Sequence, residues 1–109
     1  MLQKLSPNSP ILQATFGIER ESLRINANHK VAQTPHPEKL GSRSFHPYIQ
    51  TDYSEPQIEL ITPIAHSTKE ARRSLGAITD VVMRSMDKSE YLWHLSMPPD
   101  ISEDDIKIA

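Results

Sequence analysis

Cysteine is absent from this 109-residue chain, which leaves it neither a disulfide framework nor a zinc-thiolate site. Its 3 glycines stand against 9 prolines, and there is no GxxxxGK[ST] or GxGxxG among them, so the usual phosphate-cradling loops are missing. No serine sits in a GxSxG setting, which removes the nucleophile elbow of acyl-transfer enzymes. No apolar run is long enough to span a bilayer, and the opening MLQKLSPNSPILQA lacks the apolar block of a secretory signal; the reading is a cytoplasmic protein. Charge of one sign is lacking too. With 12 Lys and Arg against 14 acids, net −2, bulk charge favours neither nucleic acid nor membrane as a partner.

Hydrophobic residues make up 37% of the chain. That is lean for one small domain, which at this length buries roughly two-thirds of its unfolded surface. Residues 1–14, with Ser6, Pro7, Asn8, Ser9 and Pro10, read as a loose arm or short helical turn. Residues 15–26 read as a strand, and Asn26 to His29 as a turn into a short second strand over 30–34, together a hairpin. Residues 35–47 form a long irregular connection. Its His36 and His46, with His29 nearby, lack ligand spacing and read as surface or loop-packing histidines. Strand-like composition returns over 48–65, with Pro56 marking an edge, bulge or break.

Ser67 with Glu70 makes a capping box, and Thr62-Pro63 disfavours an earlier start, so a helix is expected to begin at Ser67. Its apolar stripe is Ala71, Leu75, Ile78, Val82 and Met86, while Lys69, Arg72, Arg73, Asp80, Arg84 and Asp87 lie mostly off it. Arg72 and Arg73 read as a solvated outer face and not as a phosphate site. In YLWHLSMPP, a short apolar segment ended by Pro98 and Pro99, Trp93 reads as a core or interface anchor. The fold class is α+β: three or so antiparallel strands with one long helix packed on a face. Residues 100–109 form an acidic tail that reads as interrupted.

Chemistry concentrates in two stretches. In FGIERESLRI, residues 16–25, Glu19 and Glu21 are two apart on a strand, so both carboxylates share one face about 6.5 to 7 Å apart, beside Leu23 and Ile25. Acids so close repel unless a cation, a raised pKa or a basic partner compensates; a solvated strand face also carries such a pair. In the second stretch, a strand over 57–61 turns Gln57, Glu59 and Ile61 one way and Ile58 and Leu60 into the core. Glu19, Glu21, Asp52, Glu55 and Glu59 thus lie in or beside two strands, and antiparallel neighbours are about 4.8 Å apart. Such a gathering of hard oxygen ligands suits Mg²⁺ or Mn²⁺ together with substrate phosphates. A glycosidase needs its two carboxyls on opposite sides of the scissile bond, which same-face acids do not supply.

FGIERESLRI, HPYIQTDYSEPQIELITP and LWHLSMPP, in this order and spacing over residues 16–99, resemble glutamate-cysteine ligase. The middle stretch is similar in particular to the ligase half of the family's bacterial bifunctional branch, where a glutathione synthetase is joined to it. The resemblance implies ATP-dependent joining of L-glutamate to L-cysteine through a γ-glutamyl phosphate, the first step of glutathione biosynthesis. It implies that Glu19, Glu21 and Glu59 match the family's metal-binding acids, that Asp52 supports the metal or ATP site, and that Tyr53 falls in the cysteine pocket. It implies that residues 15–99 are the N-terminal part of a catalytic domain, an incomplete portion of a glutamine-synthetase-like ligase fold. Family members run to several hundred residues, so the remaining walls of the site are expected elsewhere. This chain alone is expected to be inactive, to bind metal at most, and to associate through an exposed sheet edge. His94 departs from the family pattern, which has proline there.

Overall fold

Alternation along one strand decides the architecture. In the computed structural model, which describes residues 8–109, Glu19–Asn26 forms β1, Ile49–Thr51 β2, Gln57–Ile61 β3 and Glu90–Trp93 β4, with the helix α1 over Thr68–Ser85. The strands make one sheet in the order β2-β3-β1-β4, each pair antiparallel. The α+β expectation of an antiparallel sheet with one long helix is borne out, with four strands where about three were expected.

Directly opposed residues share a face of a sheet. Ser22 opposes Ile58 and Arg20 opposes Leu60 between β1 and β3; Ile49 opposes Leu60 between β2 and β3; Arg24 opposes Leu92 between β1 and β4. This is the helix side. Ile58, Leu60, Ile49 and Leu92 pack there with Val82 and Met86, and Leu75 and Ile78 join them from α1. Burial of each large aliphatic side chain in this layer stabilises the fold by about 1.5–3 kcal/mol. The stripe expected for α1 is the one that packs: Ala71 and Val82 are fully buried, and the exposed positions include all six polar residues named above. Ser67 is the N-cap, its Oγ accepting from the Glu70 N–H at 3.2 Å. The Glu70 carboxylate reaches one residue further back than a capping box requires and accepts from the His66 N–H at 2.8 Å.

The core side of β1 also holds a cation. Arg24, 1% exposed, donates from Nη1 to Glu90 Oε2 at 3.0 Å and Thr34 Oγ1 at 2.7 Å, and from Nη2 to the carbonyls of Thr34 at 2.7 Å and Glu55 at 3.0 Å. Thr34 Oγ1 in turn donates to Glu90 Oε1. A buried guanidinium with its charge paired and its donors engaged is the arrangement in which such a group is tolerated. It ties β1, β4 and two connecting segments together.

That tether explains a departure from expectation. Residues 30–34 do not form a second strand; Val31 makes an isolated bridge to Ile25, after which Thr34 is drawn onto Arg24. The first strand likewise starts at Glu19 and not at residue 15, Phe16 making only a bridge to Ala65. Of the N-terminal arm, Pro10–Gln13 forms a short 3₁₀ turn, and residues 1–7 lie outside the described residues.

Candidate functional site

The opposite face of the sheet gathers the acids. Glu21 stands directly across from Glu59, Glu59 across from Gln50, and Glu19 across from Ile61. One row further along the strands, Gln57 opposes Leu23, and Leu23 opposes Trp93. Asp52 extends this row beyond β2, its N–H donating to the Gln57 carbonyl at 3.2 Å. The expectation that Glu19, Glu21 and Glu59 share a face with Gln57 therefore holds in the register, and Asp52 joins them.

Like charges directly opposed across an antiparallel pair destabilise it. Glu59 registers the strain: partial burial raises its pKa above the ordinary carboxylate value, and Glu19, Asp52 and Glu21 add to the rise in that order. Glu21, although opposite, contributes least among those neighbours. Its Oε2 is engaged elsewhere, accepting from Gln57 Nε2 at 2.9 Å, while the same Nε2 reaches Asp52 Oδ2 at 3.3 Å. The Gln57 amide orientation is fixed chemically, because only nitrogen can donate to two carboxylates, and Oε1 lies 3.5 Å from Ser54 Oγ.

Among the described residues, no three His, Cys, Asp or Glu side chains converge closely enough to hold a metal ion. Backbone register brings the acids to one face, and the Gln57 amide engages Glu21 and Asp52 there. The donor set still fits a hard divalent cation: carboxylate oxygens alone, from adjacent strands, on an open face, with an amide N–H₂ occupying the position between two of them.

Beside the acids lies a cleft of about 300 Å³ walled by Glu21, Leu23, Gln57, Trp93, Leu95 and Pro98. Of the core or interface anchor expected, Trp93 is not the core alternative. It is half-buried on the acid face, and its Nε1 donates to the Met97 carbonyl at 2.6 Å, which folds the segment after β4 over the cleft. His94, at the end of β4, bonds through Nδ1 to Arg20, and burial with the nearby guanidinium lowers its pKa. Tyr53 is 65% exposed between β2 and β3 and is not among the residues walling this cleft.

Two groups of candidates separate from the acid face. Glu55 does not join it: Oε1 accepts from the His36 N–H at 2.8 Å and Oε2 pairs with Arg43 at 2.7 Å. The histidines serve the loop, as expected. His46 Nδ1 accepts from the N–H groups of Tyr48 and Ile49, His29 takes a positive φ of 60° in the turn after β1, and His36 bonds Thr51 Oγ1 through Nδ1 at 2.7 Å. Burial, with Arg24 nearby, lowers the His36 pKa. The sequence sets Gln57 beside Glu59 and ends an apolar segment at Pro98, but assigns neither of them, nor Leu95, to a site. Strand parity places Gln57 on the acid face, but nothing in the sequence ties its amide to Glu21 and Asp52.

Comparison with known proteins finds relatives along the whole chain. The glutamate-cysteine ligase family matches residues 1–109. The glutathione biosynthesis bifunctional protein GshAB of Streptococcus mutans is 68% identical over 110 residues, covering 100% of this chain and 15% of that protein. GshAB of Enterococcus faecalis is 49% identical, again covering all of this chain and 15% of the relative. Among solved structures, a bifunctional glutathione synthetase from Pasteurella multocida superposes with a TM-score of 0.84 at 44% identity, over 90% of this chain and 14% of that one. Glutamate–cysteine ligase from Francisella tularensis, in complex with AMP, gives a TM-score of 0.85 at 33% identity over 87% of this chain and 19% of its own. The chain thus spans about 15% of the length of the relatives it matches.

Proposed function

The chain belongs to the glutamate-cysteine ligase family, and from that premise we propose that it supplies one wall of the site of an ATP-dependent ligase joining L-glutamate to L-cysteine, with glutathione biosynthesis as the pathway. The observation that carries the reading is the acid face, where Glu21 opposes Glu59 across β1 and β3 with Glu19 and Asp52 beside them. Glu19, Glu21 and Glu59 would hold Mg²⁺ or Mn²⁺, and Asp52 would support the metal or ATP. When bound, the cation supplies charge neutralisation for phosphate oxygens, the main requirement of phosphoryl transfer from ATP to the γ-carboxylate of glutamate. The chain's residues orient and attract: the carboxylates fix the cation's position, and Leu23, Trp93, Leu95 and Pro98 narrow the water-accessible space beside it. Attack of the cysteine amine on the γ-carbonyl carbon of the γ-glutamyl phosphate would follow, forming the amide and expelling inorganic phosphate, with Tyr53 offering its exposed ring to the small side chain. The Francisella relative is in complex with AMP, which supports a nucleotide as a ligand of the family.

Given its share of the relatives' length, the chain alone would bind the cation without forming product. The reading places it in the cytoplasm, with ATP, glutamate, cysteine and the remainder of a ligase as partners, and with neither nucleic acid nor membrane among them. No helix among the described residues is long and apolar enough to cross a membrane. A chimera tests the proposal: this chain replaces the matching 110 residues of Streptococcus mutans GshAB, and γ-glutamylcysteine is measured with and without ATP and Mg²⁺. Product dependent on both, reduced by at least about 10²-fold on Glu59→Gln, is the expected result. A chimera whose product formation is indifferent to Glu59→Gln would overturn the assignment.

A further inference from the structure

The Gln57 amide stands where a cation would be most useful to two carboxylates. Nε2 lies 2.9 Å from Glu21 Oε2 and 3.3 Å from Asp52 Oδ2. Glu21 and Glu59 occupy opposed register positions, so their carboxylates have the shortest backbone separation of any acidic pair on the face, yet no three acids converge among the described residues. Strand geometry therefore permits a closer cluster than the one adopted. Within that geometry a hydrogen bond holds the Glu21 carboxylate on Gln57. Gln57 is held in turn, since its backbone pairs with Leu23, its N–H donates to the Ser54 carbonyl at 2.9 Å and its carbonyl accepts from Asp52.

We infer that Gln57 is a latch on the acid face: its amide ties Glu21 to Asp52, and a divalent cation must displace it from Glu21 to bind. This rests on the reading of the face as a cation site and adds the residue that sets its affinity. Gln57 is a positioning residue and stays neutral throughout. It satisfies the carboxylates when the cation is absent, which limits the repulsion that four acids would otherwise impose on β1 and β3, and it weakens the site by the strength of the hydrogen bond that must be broken.

The test is Mn²⁺ binding to the 109-residue chain, followed by electron paramagnetic resonance at low ionic strength, in the wild type and in Gln57→Leu, Gln57→Asn and Glu59→Gln variants. Loss of one net hydrogen bond corresponds to roughly fivefold in affinity, so Gln57→Leu and Gln57→Asn, whose amide is too short to reach, each tighten Mn²⁺ by about that factor. A second readout uses diamagnetic Mg²⁺: the Gln57 side-chain N–H₂ resonances move toward free-amide positions as the ion is added to the wild type. Unchanged or weaker Mn²⁺ binding in both Gln57 variants, with Glu59→Gln still abolishing it, overturns the latch and leaves the cation site standing. Equal binding in Glu59→Gln and wild type removes the site, and the latch with it.

Discussion

Glu59 carries opposite consequences for stability and for ligand binding. Its folded pKa lies above the ordinary carboxylate value of 4.5, so the folded state holds its proton more tightly than the unfolded state. The contribution to stability is therefore greatest at low pH and is lost as pH rises through the raised value. In metal-free solution at pH 7, Glu59→Gln is expected to raise the thermal midpoint by about 2–4 °C, in line with relief of a directly opposed like-charge pair. The gain should shrink as pH falls below the ordinary carboxylate range and Glu59 takes up its proton, and scanning calorimetry at pH 7 and at acid pH checks it. A destabilised Glu59→Gln at pH 7 would count against the repulsion described for this face. Glu19, Glu21 and Glu59 were legible in the sequence as same-face acids because side-chain parity on a strand is strict. The separation of Asp52 from Glu55 was not. Both flank the same turn, and only the tertiary partners His36 and Arg43 reveal that Glu55 faces away.

Among the elements, α1 was the most legible, because a 3.6-residue period and a capping serine are both local. Ser67→Ala removes the acceptor for the Glu70 N–H and is expected to cost about 1 kcal/mol, or roughly 5 °C in thermal midpoint for a domain of this size. Chemical denaturation should show this with an unchanged m-value; no loss of stability would mean that the Glu70 carboxylate on the His66 N–H suffices as a cap. The strands were harder to read. β4 spans Glu90–Trp93, four residues whose core-facing positions are Glu90 and Leu92. A buried glutamate does not signal a strand unless its partner is known, and Arg24 lies 66 residues away in sequence. The same arginine turned the expected strand over 30–34 into a single bridge, by recruiting Thr34 through side-chain and backbone acceptors at once.

At the scale of the molecule, the radius of gyration is 17.0 Å, well above the ~13 Å of a compact domain of this length. β4 ends the sheet, and Tyr91, Leu95 and Met83 near it are more than half exposed. An unpaired edge beside apolar side chains is a template for pairing. Sedimentation velocity is expected to show concentration-dependent association, reduced by Tyr91→Lys; a monomer at every concentration would show that the edge is already blunted. The sheet carries a further consequence. On β1, the residues of one parity are Glu19, Glu21, Leu23 and Ile25, and those of the other are Arg20, Ser22, Arg24 and Asn26. Deleting or inserting a single codon just before Glu19 would leave the composition nearly untouched while exchanging the two sets. The open face would turn from acidic to basic, and carboxylates would enter the layer that now closes around Arg24. The strand thus behaves as a reading frame for charge, intolerant of shifts by one residue for electrostatic as well as packing reasons.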